Sequence, residues 1–169
     1  MILGVISDTH GNRKLMHQVA ERMEQRLGVE VFIHLGDNYA DAEELALAYP
    51  RVIMVPGLSC PEYGDPRIPK RLVQEFDGIA IACAHADKDL RHTEYAAAII
   101  LTGHTHVARI DLIGCSLYVN PGHLRSPQDR GEKASFAIIE TGQDEVRAAI
   151  HDYTGDLRRA VTVERARLA

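Results

Sequence analysis

The chain has 169 residues, of which 46% are hydrophobic and 25% are charged, so it is long enough to bury the core of one domain. This composition excludes an intrinsically disordered chain, which would combine low hydrophobicity with a high net charge. Its 19 basic and 24 acidic residues give a formal net charge of −5, which argues against a protein that tracks nucleic-acid phosphates, while its nine histidines direct attention to metal ligation.

The N-terminal third of the chain alternates between predicted strands and predicted helices. The strands cover residues 1–7, 29–35 and 51–55, and the helices cover residues 12–27 and 41–49. In the first helix the apolar residues follow helical spacing, with Asn12 as a suitable N-cap and Gly28 as a suitable C-terminal stop. A β-α-β-α-β order predicts a parallel sheet with helical crossovers.

The remainder of the chain is predicted to be mostly antiparallel β-structure. Residues 56–69 contain several prolines and predict a long loop of the kind that often serves a function. Asp77-Gly78 predicts the turn of a hairpin. The hairpin strands are 72–76 and 79–84, followed by a helix over 89–98 and strands over 99–102, 108–113, 116–119, 135–140 and 146–151. We therefore expect an α/β (α+β) fold, a four-layer αββα sandwich of two mixed β-sheets flanked by helices.

Domain boundaries and compartment follow from composition. We expect one domain over residues 1–155 and a solvated C-terminal extension over 156–169. The three cysteines form no C-x-x-C pair, so no disulfide framework is expected, and Cys83 and Cys115 are predicted to be buried in strands. The sequence shows no signal peptide and no apolar run long enough to span a membrane, so a cytoplasmic location is expected.

Polar side chains suited to metal binding follow the predicted strands at the points where those strands end. They are Asp8, His10, Asp37, His85, His104 and His106. Because ligands of sheet-based α/β folds gather beyond the carboxyl ends of strands, we expect these side chains to form one site. A mixture of carboxylates and imidazoles suits manganese, iron, zinc or nickel better than calcium or magnesium alone.

The D-x-H and H-x-H spacings have a physical interpretation. In an extended chain alternate side chains point the same way, so Asp8 with His10, and His104 with His106, are each expected to hold one ion. Asp37 has two carboxylate oxygens and can bridge two ions about 3.5–4 Å apart, the arrangement used in phosphate ester hydrolysis.

The motifs taken in order resemble those of the calcineurin-like metallophosphoesterases. They are D-T-H-G at residues 8–11, H-L-G-D at 34–37, H-A at 85–86, G-H-T-H at 103–106 and N-P-G at 120–122. The chain is most similar to the small bacterial and archaeal phosphodiesterases, the branch that shares its fold with the retromer subunit. Each motif alone is weak, but their joint order after predicted strands is specific.

This resemblance implies a site for two divalent metal ions, with manganese favoured. The implied ligands are Asp8, His10, Asp37 and His106 for one ion, and Asp37, His85, His104 and an asparagine for the other. The family carries that asparagine in a G-N-x-D motif after the third strand, where this chain has Gly57-Leu58-Ser59-Cys60. Leu58 cannot ligate a metal, so the second site is expected to be weaker, and either Cys60 or Ser59 is a candidate replacement.

The resemblance also implies an activity and its alternatives. A metal-bound hydroxide would attack a small phosphate ester, chiefly a phosphodiester, with Asp37 between the ions. His123 follows N-P-G, where the family tends to have serine, so His123 or an ordered water is the predicted acid for the leaving group. A homo-oligomer is implied, and neither a membrane nor a nucleic-acid partner is expected. Leu58 leaves open a second class, a catalytically weakened scaffold or a one-metal protein that binds phosphate or nucleotide.

Other histidines have simpler interpretations. His34 is expected to form hydrogen bonds at the end of the sheet, and His17 and His92 are expected to lie in solvent on helices. Asn38 is interpreted either as a phosphate contact or as an ordinary turn residue.

Overall fold

The computed structural model describes residues 1–168, which form thirteen strands and three α-helices. The strands are β1 (Ile2–Ile6), β2 (Val31–His34), β3 (Val52–Met54), β4 (Arg71–Phe76), β5 (Ile79–Ala84), β6 (Ile99–Leu101), β7 (Arg109–Ile113), β8 (Ser116–Asn120), β9 (Gln128–Asp129), β10 (Glu132–Lys133), β11 (Ser135–Thr141), β12 (Glu145–Asp152) and β13 (Leu157–Glu164). The helices are α1 (Arg13–Leu27), α2 (Tyr39–Ala48) and α3 (His92–Tyr95). None of the helices described is both long enough and apolar enough to cross a membrane.

Two mixed sheets form the centre of the fold, as predicted. The six-stranded sheet has the order β13-β12-β11-β1-β2-β3, and its β1, β2 and β3 are parallel. The five-stranded sheet has the order β4-β5-β6-β8-β7, with β6 parallel to both of its neighbours. Strands β9 and β10 form a separate two-stranded hairpin. The predicted β-α-β-α-β unit and the hairpin at Asp77-Gly78 are both confirmed.

The first helix forms where its sequence predicts and covers the outer face of the six-stranded sheet. The side chain of Asn12 accepts a hydrogen bond from the backbone N–H of Leu15 at 3.2 Å, and Gly28 ends the helix in the left-handed conformation. Met16 and Met23 are fully buried and belong to the same core cluster as Phe136 of β11. Each such burial contributes about 1.5–3 kcal/mol to folding.

A second and larger core lies between the two sheets. It is built from β-branched and aliphatic residues such as Val5 and Ile33 of one sheet and Ile99 and Val119 of the other. Because β1 is parallel to β2, and β5 is parallel to β6, the loops after these four strands leave their sheets at one end of the sandwich. That end carries the candidate site.

The helix predicted over residues 89–98 is wrong for most of its length. The structure has a 3-10 turn at Asp87–Asp89 and then only one helical turn, α3. Ala97 and Ala98 are buried and lead directly into β6, so the chain turns onto the sheet before a longer helix can form. The outer layer over the second sheet is therefore thin.

The C-terminal segment is also corrected. Residues 157–164, predicted to lie in a solvated extension, form β13, which pairs antiparallel with β12 from Glu164 opposite Glu145 to Leu157 opposite His151. Val163 is buried in the core between the sheets, which explains why this β-branched segment joins the sheet. Cys83 is buried as predicted, but Cys115 is exposed in the turn between β7 and β8, so its predicted burial is wrong.

Candidate metal centre

The predicted site residues come from the ends of strands in both sheets. Asp8 and His10 follow β1, Asp37 follows β2, His85 follows β5, and His104 and His106 follow β6. The structure arranges most of them in two groups whose ligand atoms lie close together. These groups are Asp8, His10 and His106, and Asp8, Asp37 and His85.

In the first group a carboxylate faces two imidazoles. Asp8 Oδ1 lies 3.3 Å from Nε2 of His106, and Nε2 of His10 lies 3.2 Å from the same nitrogen. The other oxygen of Asp8 accepts hydrogen bonds from the Ser7 hydroxyl at 2.6 Å and from the backbone N–H of His104 at 2.9 Å. Oδ2 is thereby satisfied by the protein, while Oδ1 is buried and has no hydrogen-bond partner in the part of the chain described.

Burial and neighbouring charges shift the pKa values of the residues in this group. Burial raises the pKa of Asp8, but the neighbouring His106, His85 and Ser7 more than offset this, so the pKa lies below its ordinary value. Asp8 raises the pKa of His106, burial opposes this, and Asp129 adds to the increase, so that the net pKa of His106 is raised. Burial lowers the pKa of His10, the third member of the group, so of its two imidazoles only that of His106 gains affinity for a proton.

In the second group, a backbone carbonyl determines which ring nitrogen of His85 carries the hydrogen. Its Nδ1 lies 2.7 Å from the carbonyl oxygen of Leu35, which can only accept, so Nδ1 carries the hydrogen. In the neutral ring Nε2 then carries a lone pair, and this nitrogen lies 4.0 Å from Oδ1 of Asp37. This nitrogen is fully buried and has no hydrogen-bond partner within the described residues.

His104 is close to the second group without belonging to it. Its ring packs edge-on against the ring of His85 with a centroid distance of 5.2 Å, and its side chain is exposed. His106 instead packs against His10, at 5.1 Å between centroids. The two histidines of the H-x-H motif therefore face different groups, and the expectation that both would hold the same ion is not what the geometry shows.

The backbone at both motifs is not extended. Asp8, His10, His104 and His106 all have positive φ, at 53°, 47°, 68° and 64°. The prediction that D-x-H and H-x-H would lie in extended chain is therefore wrong. Left-handed residues turn the chain sharply after β1 and β6; after β1 the side chains of Asp8 and His10 still meet in the first group, whereas after β6 those of His104 and His106 face different groups.

The loop after β3 lies in direct contact with Asp37. A Cβ at Gly57 would overlap the Asp37 carboxylate, so only glycine permits this approach. Cys60 is buried, and its Sγ lies 3.9 Å from Oδ1 of Asp37 and accepts a hydrogen bond from the backbone N–H of Asn38 at 3.2 Å. Ser59 is exposed. Of the two candidate replacements for the missing asparagine, Cys60 is the one in contact with Asp37.

His123 is placed behind the site. Its ring lies 5.2 Å from the ring of His106 between centroids, and its side chain is fully buried. Nε2 lies 3.2 Å from the carbonyl oxygen of Glu132, and burial lowers the pKa of the ring. His123 therefore lies beside a predicted ligand but does not reach the open cavity described below.

The structure adds two carboxylates that the sequence analysis did not assign to the site. Buried Asp41 accepts hydrogen bonds from the Thr9 hydroxyl at 2.7 Å and the Gly11 N–H at 2.8 Å, which holds the loop after β1. Asp129 lies 2.6 Å from Nδ1 of His106. Both contacts join residues far apart in sequence, and no local motif marks either residue.

An open cavity of about 480 Å³ lies next to the two groups. His10 and Asp37 form its inner side, and Tyr39, Cys60 and Glu62 are among the residues of its outer walls. None of its described lining residues is a lysine or an arginine. A small molecule in this cavity would contact the candidate metal groups on one side and neutral or acidic side chains on the other.

The donor set fits divalent cations. Two buried atoms that can only accept, Asp8 Oδ1 and His85 Nε2, lack donors and lie within the two groups of potential ligand atoms. Leaving such atoms unpaired is costly, whereas a divalent cation satisfies both kinds. The mixture of carboxylate oxygen and imidazole nitrogen is the one that first-row transition metals prefer.

Comparisons with known proteins identify the family of the chain. A family model described as the calcineurin-like phosphoesterase superfamily domain matches residues 1–144. Among curated proteins, the chain is 28% identical over 171 residues to the probable metallophosphoesterase YsnB of Bacillus subtilis (strain 168), with 94% of this chain and 98% of that protein covered.

Solved structures share the fold. The phosphoesterase Yfce from E. coli superposes with a TM-score of 0.73 at 19% identity, covering 95% of this chain and 98% of that chain. Wild-type Vps29 from Entamoeba histolytica, complexed with Zn²⁺, superposes with a TM-score of 0.67 at 18% identity, covering 97% of this chain and 99% of that chain.

Proposed function

The chain belongs to the calcineurin-like phosphoesterase superfamily, and from this premise we propose that it hydrolyses a small phosphate ester, preferably a phosphodiester, at a site for two divalent metal ions. The observation that carries this proposal is the pair of buried, unpartnered acceptor atoms, Asp8 Oδ1 and His85 Nε2. Asp89 Oδ2 and His123 Nδ1 also lack partners, but within the described residues only Asp8 Oδ1 and His85 Nε2 lie among other potential ligand atoms, an arrangement that bound cations explain.

The two groups of side chains suggest which residues would hold each ion. Asp8, His10 and His106 would hold one ion, and Asp8, Asp37 and His85 would hold the second, with His104 assigned to it because of its packing on His85. Manganese is the favoured metal for this mixed set, and zinc is the first alternative because the Vps29 relative from Entamoeba histolytica binds it.

When bound, two divalent cations would neutralise the phosphate and lower the pKa of a water that attacks phosphorus in line. The protein's own residues orient this chemistry. Ser7 and the backbone N–H of His104 fix the Asp8 carboxylate, and the Leu35 carbonyl fixes the ring of His85. The cavity beside His10 and Asp37 would accept the leaving group. Because His123 is buried away from this cavity, we assign the leaving-group proton to water, the other predicted donor.

The charge of the cavity supports a diester over a monoester. Glu62 adds a negative charge to its wall, and no described lysine or arginine lines it to bind a further anion. A phosphodiester carries one negative charge at neutral pH, whereas a phosphomonoester carries nearly two. The cavity should therefore repel the monoester more strongly.

Metal analysis combined with a turnover assay tests the proposal. We expect the manganese-loaded protein to bind two ions per chain, to hydrolyse a chromogenic phosphodiester, and to lose this activity in a chelator. A chain that binds manganese but turns over neither a diester nor a monoester would contradict the enzymatic function. A chain that binds no divalent metal would contradict the site itself.

One observation favours a second candidate function. Leu58 occupies the position where the family carries a metal-ligating asparagine, and the second candidate is a protein with one bound ion that binds phosphate or serves as a scaffold. One bound ion without turnover, and gain of turnover in Leu58→Asn, would support this second candidate.

A further inference from the structure

The ring of His106 is held between two carboxylates. Its Nε2 lies 3.3 Å from Asp8 Oδ1, within the first candidate metal group, and its Nδ1 lies 2.6 Å from Oδ2 of Asp129. The His106 side chain is only 4% exposed, so water does not compete strongly for either nitrogen. Both sides of this ring are therefore set by protein groups.

The contact at Nδ1 determines what Nε2 can do. Both neighbours are carboxylates that can only accept, but the contact with Asp129 is much shorter, 2.6 Å against 3.3 Å to Asp8, and Asp8 Oδ1 receives no hydrogen bond within the described residues. In the neutral ring His106 therefore donates Nδ1–H to Asp129, and Nε2 carries the lone pair. That lone pair points to the side where Asp8 and His10 present their own ligand atoms. A histidine that binds a metal through Nε2 requires this tautomer.

Asp129 is itself fixed by the segment that carries it. It belongs to the hairpin of β9 and β10, and Arg125 lies 3.5 Å from its other carboxylate oxygen. The backbone carbonyl of Arg125 accepts a hydrogen bond from the Asn12 side chain at 3.0 Å, and His123 contacts the Glu132 carbonyl. The hairpin is therefore anchored both to the start of α1 and to the core behind the site.

We propose that Asp129 is a positioning residue that fixes the tautomer and orientation of His106, so that Nε2 is presented to a divalent cation. This inference rests on the proposed metal site but concerns a residue outside all the motifs described above. It also gives buried His123 a structural task, because His123 supports the hairpin through Glu132. Outer carboxylates of this kind typically change metal affinity by about 10–100-fold.

The proposal is tested first without metal. In the chelator-treated full chain, at a pH where the ring is neutral, long-range ¹H–¹⁵N NMR is expected to show His106 with hydrogen on Nδ1. In Asp129→Ala the population should shift toward hydrogen on Nε2, and in Asp129→Asn, whose amide oxygen still accepts, the Nδ1–H tautomer should be retained. A wild-type ring protonated on Nε2, or an unchanged tautomer in a folded Asp129→Ala chain, would overturn the proposal.

Manganese binding, measured by calorimetry, gives the second readout. We expect Asp129→Ala to weaken the tighter site by about 10–100-fold and Asp129→Asn to recover part of this loss. Glu140→Gln, which removes another arginine-paired carboxylate at Arg147, should leave affinity unchanged. Wild-type affinity in Asp129→Ala would contradict the positioning role. If the wild-type chain bound no metal, the proposed function would fail, while the tautomer measurement would still decide the role of Asp129.

Discussion

Gly57 lies so close to Asp37 that its hydrogen is the only substituent that fits against the carboxylate. This contact joins the loop after β3 to Asp37 after β2, and it places a residue without a side chain beside a proposed metal ligand. We expect Gly57→Ala to displace the Asp37 carboxylate and to lower both turnover and manganese affinity, by about 100-fold for turnover if the displacement approaches 1 Å.

The matched control is Gly64→Ala, because a Cβ at Gly64 meets no atom within 4 Å and its backbone is not left-handed. Steady-state kinetics measures the turnover of both variants, and calorimetry measures their manganese affinity. Full activity in Gly57→Ala would show that the position of Asp37 does not depend on this close approach.

Replacing Leu58 by asparagine tests the departure from the family motif. Leu58 is half-buried and directly follows Gly57, which contacts Asp37. We expect Leu58→Asn to tighten binding of the weaker manganese equivalent by about tenfold, or about 1.4 kcal/mol. Leu58→Ala, which opens the same space without adding a ligand, should not do so, and equal effects of both variants in calorimetry would rule out ligation.

The charge of Glu62 is expected to select the substrate. Glu62→Lys reverses a charge at the cavity wall, which at contact distance in water amounts to about 1 kcal/mol for each unit of charge. The ratio of kcat/KM for a phosphomonoester to that for a diester should therefore rise by about tenfold, and less at high salt. Glu75→Lys on exposed β4 is the control; an equal rise there would assign the effect to net charge alone.

The stability of the chain should fall on mild acidification because of His34. Burial lowers the pKa of this ring to about 4, from an ordinary value of 6.5. Below pH 6.5 the unfolded chain binds a proton that the folded chain does not bind until about pH 4, so the free energy of unfolding decreases across this window, by up to about 3 kcal/mol, and then levels off.

Urea unfolding in a chelator, at several pH values across the window, measures this dependence. His34→Gln should show a shallower slope than the wild type, whereas His92→Gln, an exposed control, should keep the wild-type slope. Identical slopes in the wild type and His34→Gln would contradict the assignment to His34.

Local signals predicted much of the fold. The Asn12 cap, the Gly28 stop and the Asp77-Gly78 turn each act within a few residues, and the structure confirms all of them. The prediction of a helix over 89–98 was wrong because the residues at its end enter β6 and pair with the distant strand β5. Helical periodicity in the sequence carries no information about such long-range pairing. The same holds for β13, whose pairing with β12 depends on the core that Val163 joins.

The candidate site divides in the same way. Asp8, Asp37 and His85 were found because they follow strands in recognisable motifs, and the structure brings them together. The sequence analysis missed Asp129 and Asp41 because their hydrogen bonds, to His106 and to Thr9, join residues far apart in the sequence. The burial of His123 likewise follows from the hairpin that covers it, which no spacing in the sequence indicates.

The left-handed conformations of Asp8, His10, His104 and His106 affect which substitutions selection for stability would favour. The left-handed conformation costs a residue with a Cβ about 1 kcal/mol or more, and it costs glycine almost nothing. Replacing any of these four residues by glycine would therefore relax the backbone while removing a side chain from the centre. In a library of variants selected only for thermal stability, such replacements should be enriched, and the most stable variants should lack catalytic activity.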